Sequence, residues 1–235
     1  MNKFIFDVDG TLTPSRGVMD INFRAFFNSF CLVNNVYLVT GSDKEKTVEQ
    51  ITEPTYNLCK RVYNCNGNDV WEGKEHIRSN EWTIPSHVHE FFSEKLSASS
   101  FPLRTGLHFE HRPGMVNFSV VGRNATQEQR EEYVLYDTET NERNQIAKLF
   151  NELFPGFEAK VGGETGIDIG PKGANKSQII KDFDEDDNLW FFGDAMHKGG
   201  NDYPLAKLLQ NTRHVTGWKQ TWEYLTWFQE RKIAE

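Results

Sequence analysis

Two carboxylates one residue apart, Asp7 and Asp9, stand between the apolar run Phe4-Ile5-Phe6 and the dipeptide Gly10-Thr11. A short apolar run that stops on acidic residues reads as a buried parallel strand that delivers them at its C-terminal edge, where open α/β sheets place their ligands. Gly10 and Thr11 permit a sharp turn, and the peptide N–H groups of such a turn can face an anion. Paired carboxylates beside a small anion nest suit magnesium and phosphate. Asp7 would attack phosphorus, Mg²⁺ would offset the repulsion between two anions, and Asp9 would hand a proton to the leaving oxygen. D-x-D-G alone is also an ordinary turn at a strand end, so other residues must carry the reading.

Several do. Val36 to Val39 reads as a second buried strand ending in Thr40-Gly41-Ser42-Asp43, where Thr40 can donate to a phosphoryl oxygen across the turn at Gly41 and Asp43 can cap a helix beginning near Lys44. Ser42 suits either role. Lys176 falls in the first turn of a helix that runs to about Phe183, a position that disfavours lysine by about 0.5 kcal/mol; the placement makes sense if Lys176 is aimed at a phosphate or at Asp7. Lys172 is the solvated alternative. Leu189 to Phe192 is another buried strand, ending in Gly193-Asp194. Mg²⁺ takes hard oxygen ligands, so Asp7, Asp9 through its backbone carbonyl, and Asp194 form a partial shell, while Asp202 reads as a helix N-cap.

These strands alternate with helices, the first helix spanning Met19 to Phe30 behind a cap at Asp20. From about Asn80 the pattern becomes α+β: a helix from Pro85 to Leu96, a hairpin of Leu107 to Arg112 and Met115 to Val121 turning at Pro113-Gly114, and helices at Thr126 to Glu132 and around Ile146 to Leu153. The fold class is therefore α/β, a Rossmann-like parallel sheet core with an inserted α+β cap. The core is expected at 1–80 and 162–235 and the cap at 81–161. Within the cap, Arg112, Arg123 and Arg130 offer guanidinium forks for phosphate, though each also suits an ordinary surface. Asn117 and Ser119 share one strand face, and Asp168 alternates with Ile167 and Ile169.

The 235 residues include 37% hydrophobic and 13% aromatic residues, enough for a sizeable core in each part. A net charge of −8 argues against a nucleic-acid or anionic-membrane face. Cys31, Cys59 and Cys65 lack C-x-x-C spacing, which argues against a disulfide framework or structural zinc. No run approaches the ~18 apolar residues of a membrane span, and Asp7 comes too early for a signal peptide. The expectation is a soluble, unprocessed cytoplasmic protein, with a homodimer left open. With no G-x-x-x-x-G-K-[ST] loop, a nucleotide-dependent kinase fits poorly.

D-V-D-G-T-L-T behind a strand resembles the first motif of the haloacid dehalogenase superfamily. With V-T-G-S-D, the lysine of G-A-N-K, and F-F-G-D followed by G-G-N-D, the chain resembles the eukaryotic-type phosphomannomutases nearly end to end. The stretch F-E-H-R-P-G-M-V-N-F-S-V-V-G-R followed by T-Q-E-Q-R is similar to the family's phosphosugar-reading cap segment and puts Arg112, Arg123 and Arg130 on its arginines. Thr13-Pro14-Ser15-Arg16 resembles T-P-A-R, which implies that Arg16 contacts the substrate. Gly162-Gly163 through Asp168 matches the sugar-contacting segment. The family's serine is Gly166 here, its asparagine is Pro113, and its E-N-G is Cys65-Asn66-Gly67. The resemblance implies a mutase that exchanges hexose 1-phosphate and hexose 6-phosphate through phospho-Asp7, activated by a hexose 1,6-bisphosphate. Hydrolysis of the same phosphoaspartate, giving a Mg²⁺-dependent phosphosugar phosphatase, is the second reading, and a non-catalytic sugar-phosphate-binding protein is the third.

Overall fold

The computed structural model describes residues 2–15 and 17–233, so Arg16 lies outside the described residues. The chain divides into two compact units, residues 1–79 with 174–235, and residues 80–173. The units divide after residue 79, and residues 162–173, read in the sequence as the return to the core, stay in the second unit.

In the first unit, β1 (Asn2–Phe6) is followed by α1 (Ile21–Val33), β2 (Asn35–Val39), α2 (Lys44–Ile51), α3 (Glu53–Leu58), β3 (Arg61–Asn64), β4 (Asp69–Glu72) and β5 (Glu75–Ser79). The helix α1 begins after Asp20, whose carboxylate accepts from the N–H groups of Asn22 and Phe23, and it continues past Phe30 to Val33. Between Asn64 and Asp69 a 3-10 turn at Cys65–Gly67 reverses the chain, with Asn66 at φ 59°, the left-handed region that asparagine tolerates.

The second unit contributes α4 (Ser86–Ala98), β6 (Phe109–Arg112), β7 (Met115–Ser119), α5 (Gln127–Thr140), α6 (Glu142–Leu153), β8 (Phe157–Gly162) and β9 (Gly166–Pro171). The chain then returns to the first unit with a 3-10 segment (Lys176–Asp182), β10 (Asn188–Gly193), α7 (Tyr203–Ala206), β11 (Asn211–His214) and α8 (Trp218–Ile233). The expected helix after Lys176 is thus a 3-10 coil, started by Asn175, whose side chain accepts from Ser177 N.

The first unit's sheet has the order β11-β10-β1-β2-β3-β4-β5. β11, β10, β1, β2 and β3 pair in parallel, and β4 and β5 add an antiparallel edge. Both faces of β1 are buried, as a continuous apolar run requires. Phe4 and Phe6 pack with Phe23, Phe27 and Phe30 of α1, while Ile5 packs on the opposite face with Val39, Tyr63 and Phe191. Chain order runs outward in both directions from β1, so β1 is the topological switch point, where a ligand crevice opens beyond the strand ends.

The second unit's sheet is antiparallel, in the order β6-β7-β9-β8. Alternation along each strand gives it two unlike faces. Val116, Phe118, Ala159, Ile167 and Ile169 pack with Phe92 of α4, Tyr133 of α5 and Phe150 of α6. The other face carries a transverse polar row set by register: Glu110 lies opposite Asn117, Asn117 opposite Asp168, and Asp168 opposite Lys160. Among the described residues no helix is long and apolar enough to cross a membrane.

Candidate active site

The strand ladder itself assembles the first unit's site. Phe6 pairs with Phe192, and Asp7 N extends the ladder by donating to Phe192 O at 2.9 Å. Adjacent parallel strands that end together hold the first residues beyond their ends side by side, and here Asp7 comes directly after β1 and Asp194 directly after β10. The chain then turns at Gly10, where φ is +74° and Gly10 N donates to Thr13 O at 3.0 Å. A Cβ at Gly10 would sit 2.3 Å from Asp194 Oδ2, so glycine is required there by backbone conformation and by space alike. Thr11 Oγ1 donates to Asp7 Oδ2 at 3.2 Å, and Thr221 of α8 donates to Thr11 O at 2.6 Å, pinning the loop from the far end of the sequence.

Lys176 is fully buried and brought to Asp7. Its ammonium donates to Asp7 Oδ1 and, at 2.8 Å, to Asp202 Oδ1. Asp202 also accepts from Ala195 N at 3.1 Å and makes no side-chain cap to α7, so the N-cap expected for it is not formed. Instead Asp7, Asp194 and Asp202 bring carboxylate oxygens within 4.8 Å of one another. Asp202 thus adds a carboxylate to the expected set of Asp7, Asp194 and the Asp9 backbone carbonyl. The Asp9 carboxylate is engaged elsewhere: Gln50 Nε2 donates to Oδ1 at 2.8 Å and Ser42 Oγ to Oδ2 at 3.4 Å. Asp43 caps α2 as expected, accepting from Lys46 N at 2.8 Å. Thr40 is fully buried at the end of β2, where its hydroxyl accepts from Ser42 N at 3.1 Å around Gly41.

The electrostatics arise from three clustered carboxylates and one ammonium. Burial, with Asp202 and Asp194 adding to it against Lys176, pushes the Asp7 carboxyl up to about 8. Burial and Asp202 raise Asp194 as well. Burial alone would lower Lys176, but Asp202 and Asp7 outweigh it and hold the ammonium charged. Negative charge stays in excess, and a hard divalent cation on carboxylate oxygens is the group that would balance it. The residues present therefore fit a metal.

In the second unit, the expected arginines separate into two groups. Arg112 Nε donates to Glu110 Oε1 at 2.9 Å, Arg123 Nε pairs with Glu110 Oε2, and Arg123 Nη1 donates to Asn117 Oδ1 at 3.3 Å. Asn117 Nδ2 donates in turn to Asp168 Oδ1 at 2.7 Å. Arg130 is outside this network; its Nε donates to Ala125 O at 3.3 Å in the first turn of α5. Burial raises Asp168, opposed by Asn117 and the two arginines. Two glycines give the row room to lie across the sheet: a Cβ at Gly162 would meet Asp168 Oδ2 at 2.4 Å, and one at Gly166 would meet Asn117 Nδ2 at 2.5 Å.

A sequence model described as eukaryotic phosphomannomutase matches residues 23–223. The chain belongs to that family. Phosphomannomutase of Dendrobium officinale is 30% identical over 220 residues, covering 90% of this chain and 87% of the relative. Phosphomannomutase 1 of Dictyostelium discoideum is 30% identical over 223 residues, covering 90% and 89%. Among solved structures, a haloacid dehalogenase subclass IIB sugar phosphatase superposes with a TM-score of 0.61 at 14% identity, covering 97% of this chain and 99% of that one. A Plasmodium falciparum IMP-nucleotidase gives a TM-score of 0.60 at 16% identity, covering 96% and 67%. These likenesses establish the haloacid dehalogenase-like fold. As a member of the phosphomannomutase family the chain is an enzyme, and Asp202, Gln50, Thr221 and Glu110 are residues of its polar networks to which the sequence reading gave no such place. Asp202 alone carried a visible signal, an aspartate in a glycine-rich segment after a strand end.

Proposed function

We propose that this protein interconverts hexose 1-phosphate and hexose 6-phosphate, with mannose as the sugar, through a phosphoryl group carried on Asp7. The observation that carries the proposal is Asp7 itself: a buried carboxylate at the switch point of the sheet, held by Lys176 and Thr11 among two further carboxylates. A binding module would need no such nucleophile. In the forward step an Asp7 oxygen bonds to phosphorus of a hexose 1,6-bisphosphate, the phosphorus–sugar oxygen bond breaks, and Asp9 protonates the departing oxygen. In the second step a hydroxyl of the hexose monophosphate attacks phosphorus, its proton goes to Asp9, and the Asp7–phosphorus bond breaks.

Lys176 holds the Asp7 carboxylate in one orientation, and Gln50 with Ser42 holds that of Asp9. Asp7, Asp194 and Asp202, with the Asp9 backbone carbonyl, would hold Mg²⁺, which supplies charge neutralisation at the phosphoryl oxygens when bound. Thr40 is placed at the neighbouring strand end to donate to a phosphoryl oxygen. On the second unit, Arg112, Arg123, Asn117 and Asp168 form the surface for the sugar and its non-transferring phosphate, with Arg130 and Arg16 as further phosphate donors. The three cysteines are free and buried, which supports a reducing cytoplasmic setting.

The test uses Mg²⁺, mannose 1-phosphate and a catalytic amount of glucose 1,6-bisphosphate, with the 6-phosphate isomer and free phosphate followed together by phosphorus NMR. The expected result is isomer with little free phosphate, dependent on the bisphosphate. Phosphate release matching substrate loss, without isomer, would replace the mutase with a phosphatase. Asp7→Asn keeps the side-chain volume but removes the anionic nucleophile, so it should abolish turnover in a folded protein; an active variant would refute the covalent step.

A further inference from the structure

Glu110 lies among the residues proposed to read the phosphosugar, and it carries the charge of what they are proposed to bind. Residues two apart on a strand share a face, so Glu110 and Arg112 both project from the polar side of β6, with Asn117 opposite Glu110 on β7. A single carboxylate spans two guanidinium groups: Oε1 accepts from Arg112 Nε at 2.9 Å and Oε2 pairs with Arg123 Nε. The Glu110, Arg112 and Arg123 side chains are only 30%, 18% and 23% exposed, so the pairing is partly withdrawn from water and weakly screened. The two arginines together hold Glu110 below the usual glutamate range against its burial.

A phosphate oxygen and a carboxylate oxygen take the same donors from a guanidinium group. Asp168 already offsets part of the charge of Arg112 and Arg123, and Glu110, the carboxylate paired with both, holds them together before any ligand arrives. An incoming phosphate dianion meets those donors already engaged. It must draw them from Glu110, which remains tethered to β6 and recovers them as soon as the phosphate leaves. This matters to a mutase because its bisphosphate must present first one end and then the other, so a distal phosphate held too tightly would stall the exchange.

We propose that Glu110 stands in for the distal phosphate between Arg112 and Arg123 and competes with it, lowering the affinity of the pair for phosphate and speeding release. The proposal rests on the polar face of the second unit being the phosphosugar surface. Glu110 is then a positioning residue that sets how long the distal phosphate is held, with no part in bond making.

The experiment titrates inorganic phosphate, without added metal, into the full-length protein and its Glu110→Gln, Glu110→Asp and Arg123→Ala variants. Calorimetry gives the affinity, and the arginine Nε–H NMR resonances locate the binding. Glu110→Gln should bind phosphate about tenfold more tightly at the Arg112 and Arg123 signals, and Arg123→Ala should lose that binding. Glu110→Asp, which keeps the charge on a shorter stem, should fall between wild type and Glu110→Gln, and it decides the matter if Glu110→Gln fails to fold. In isomerisation, Glu110→Gln should lower KM and kcat together, the mark of a ligand held too long. Phosphate binding that depends on Arg123 but is unchanged or weakened in both Glu110 variants would make Glu110 a structural strut and overturn the inference while leaving the phosphosugar surface standing. Phosphate binding indifferent to Arg123→Ala would overturn both.

Discussion

The two polar networks of this enzyme are built on opposite electrostatic plans. Around Asp7, three carboxylates meet one buried ammonium, and burial drives the Asp7 carboxyl up to about 8. Around Glu110, one carboxylate meets two guanidinium groups, and they outweigh burial and hold its carboxyl down. The first network is short of positive charge, whereas in the second the carboxylates of Glu110 and Asp168 face the guanidinium groups of Arg112 and Arg123. The difference teaches where each ligand's energy must come from. On the proposed function, a metal would complete the first network by adding charge, whereas a phosphate would enter the second by exchange, replacing an anion already in place.

The largest effect should come from removing the first network's cation. Lys176→Met leaves Asp7 and Asp202 buried without their shared counter-charge. The expected cost is roughly 3–5 kcal/mol of folding free energy, with turnover lost, both measurable by urea unfolding and phosphorus NMR. Stability within about 1 kcal/mol of wild type would mean that the carboxylates neutralise one another by sharing protons. A smaller effect is expected in the second network from Gly166→Ala, because the new Cβ would lie 2.5 Å from Asn117 Nδ2 and so expel Asn117 from Asp168. The KM for mannose 1-phosphate should rise, with about 1–3 kcal/mol of stability lost through overpacking. An unchanged KM would separate the Asn117–Asp168 pair from sugar binding.

The mildest probe is titration of the metal-free protein by carboxyl NMR. Asp7 should titrate near 8 and Glu110 below its usual 4.5. The signs of the linked stabilities are opposite. The folded state holds a proton on Asp7 that the unfolded chain releases near 3.8, so this group's contribution falls as pH rises from about 4 to about 8. Glu110 contributes stability above its unfolded pKa and loses it as pH drops through its depressed folded value. Titration of both groups at ordinary carboxylate values would erase the contrast between the networks.

Legibility in the sequence tracked the range of the interaction. The apolar run before Asp7 and the strand before Asp194 declared themselves, because a doubly buried parallel strand is a local pattern, and their pairing is a consequence of the fold class. Lys176 could be singled out because a lysine in the first turn of a helical segment is locally unfavourable. Asp202 looked like a cap because capping is also a local pattern; its actual partner, Lys176, lies 26 positions away. Gln50 was hidden inside a charged helix, where only the fold reveals that it is buried and turned towards Asp9. The misplaced boundary has a similar cause. The alternation of Ile167, Asp168 and Ile169 identified a strand correctly, but a strand does not state which sheet it joins, and β9 joins β7 and β8.

The tether from Thr221 to the loop after Asp7 has a consequence for biosynthesis. β1 leaves the ribosome long before β10, one of its two neighbours, and before α8, which fastens the loop after Asp7. The second unit, residues 80–173, is one continuous stretch of chain and can acquire its fold while translation proceeds. The loop after Asp7 cannot be fastened until Thr221 has emerged, so a nascent chain stalled before that point would carry the folded second unit while the Asp7 loop is still untethered.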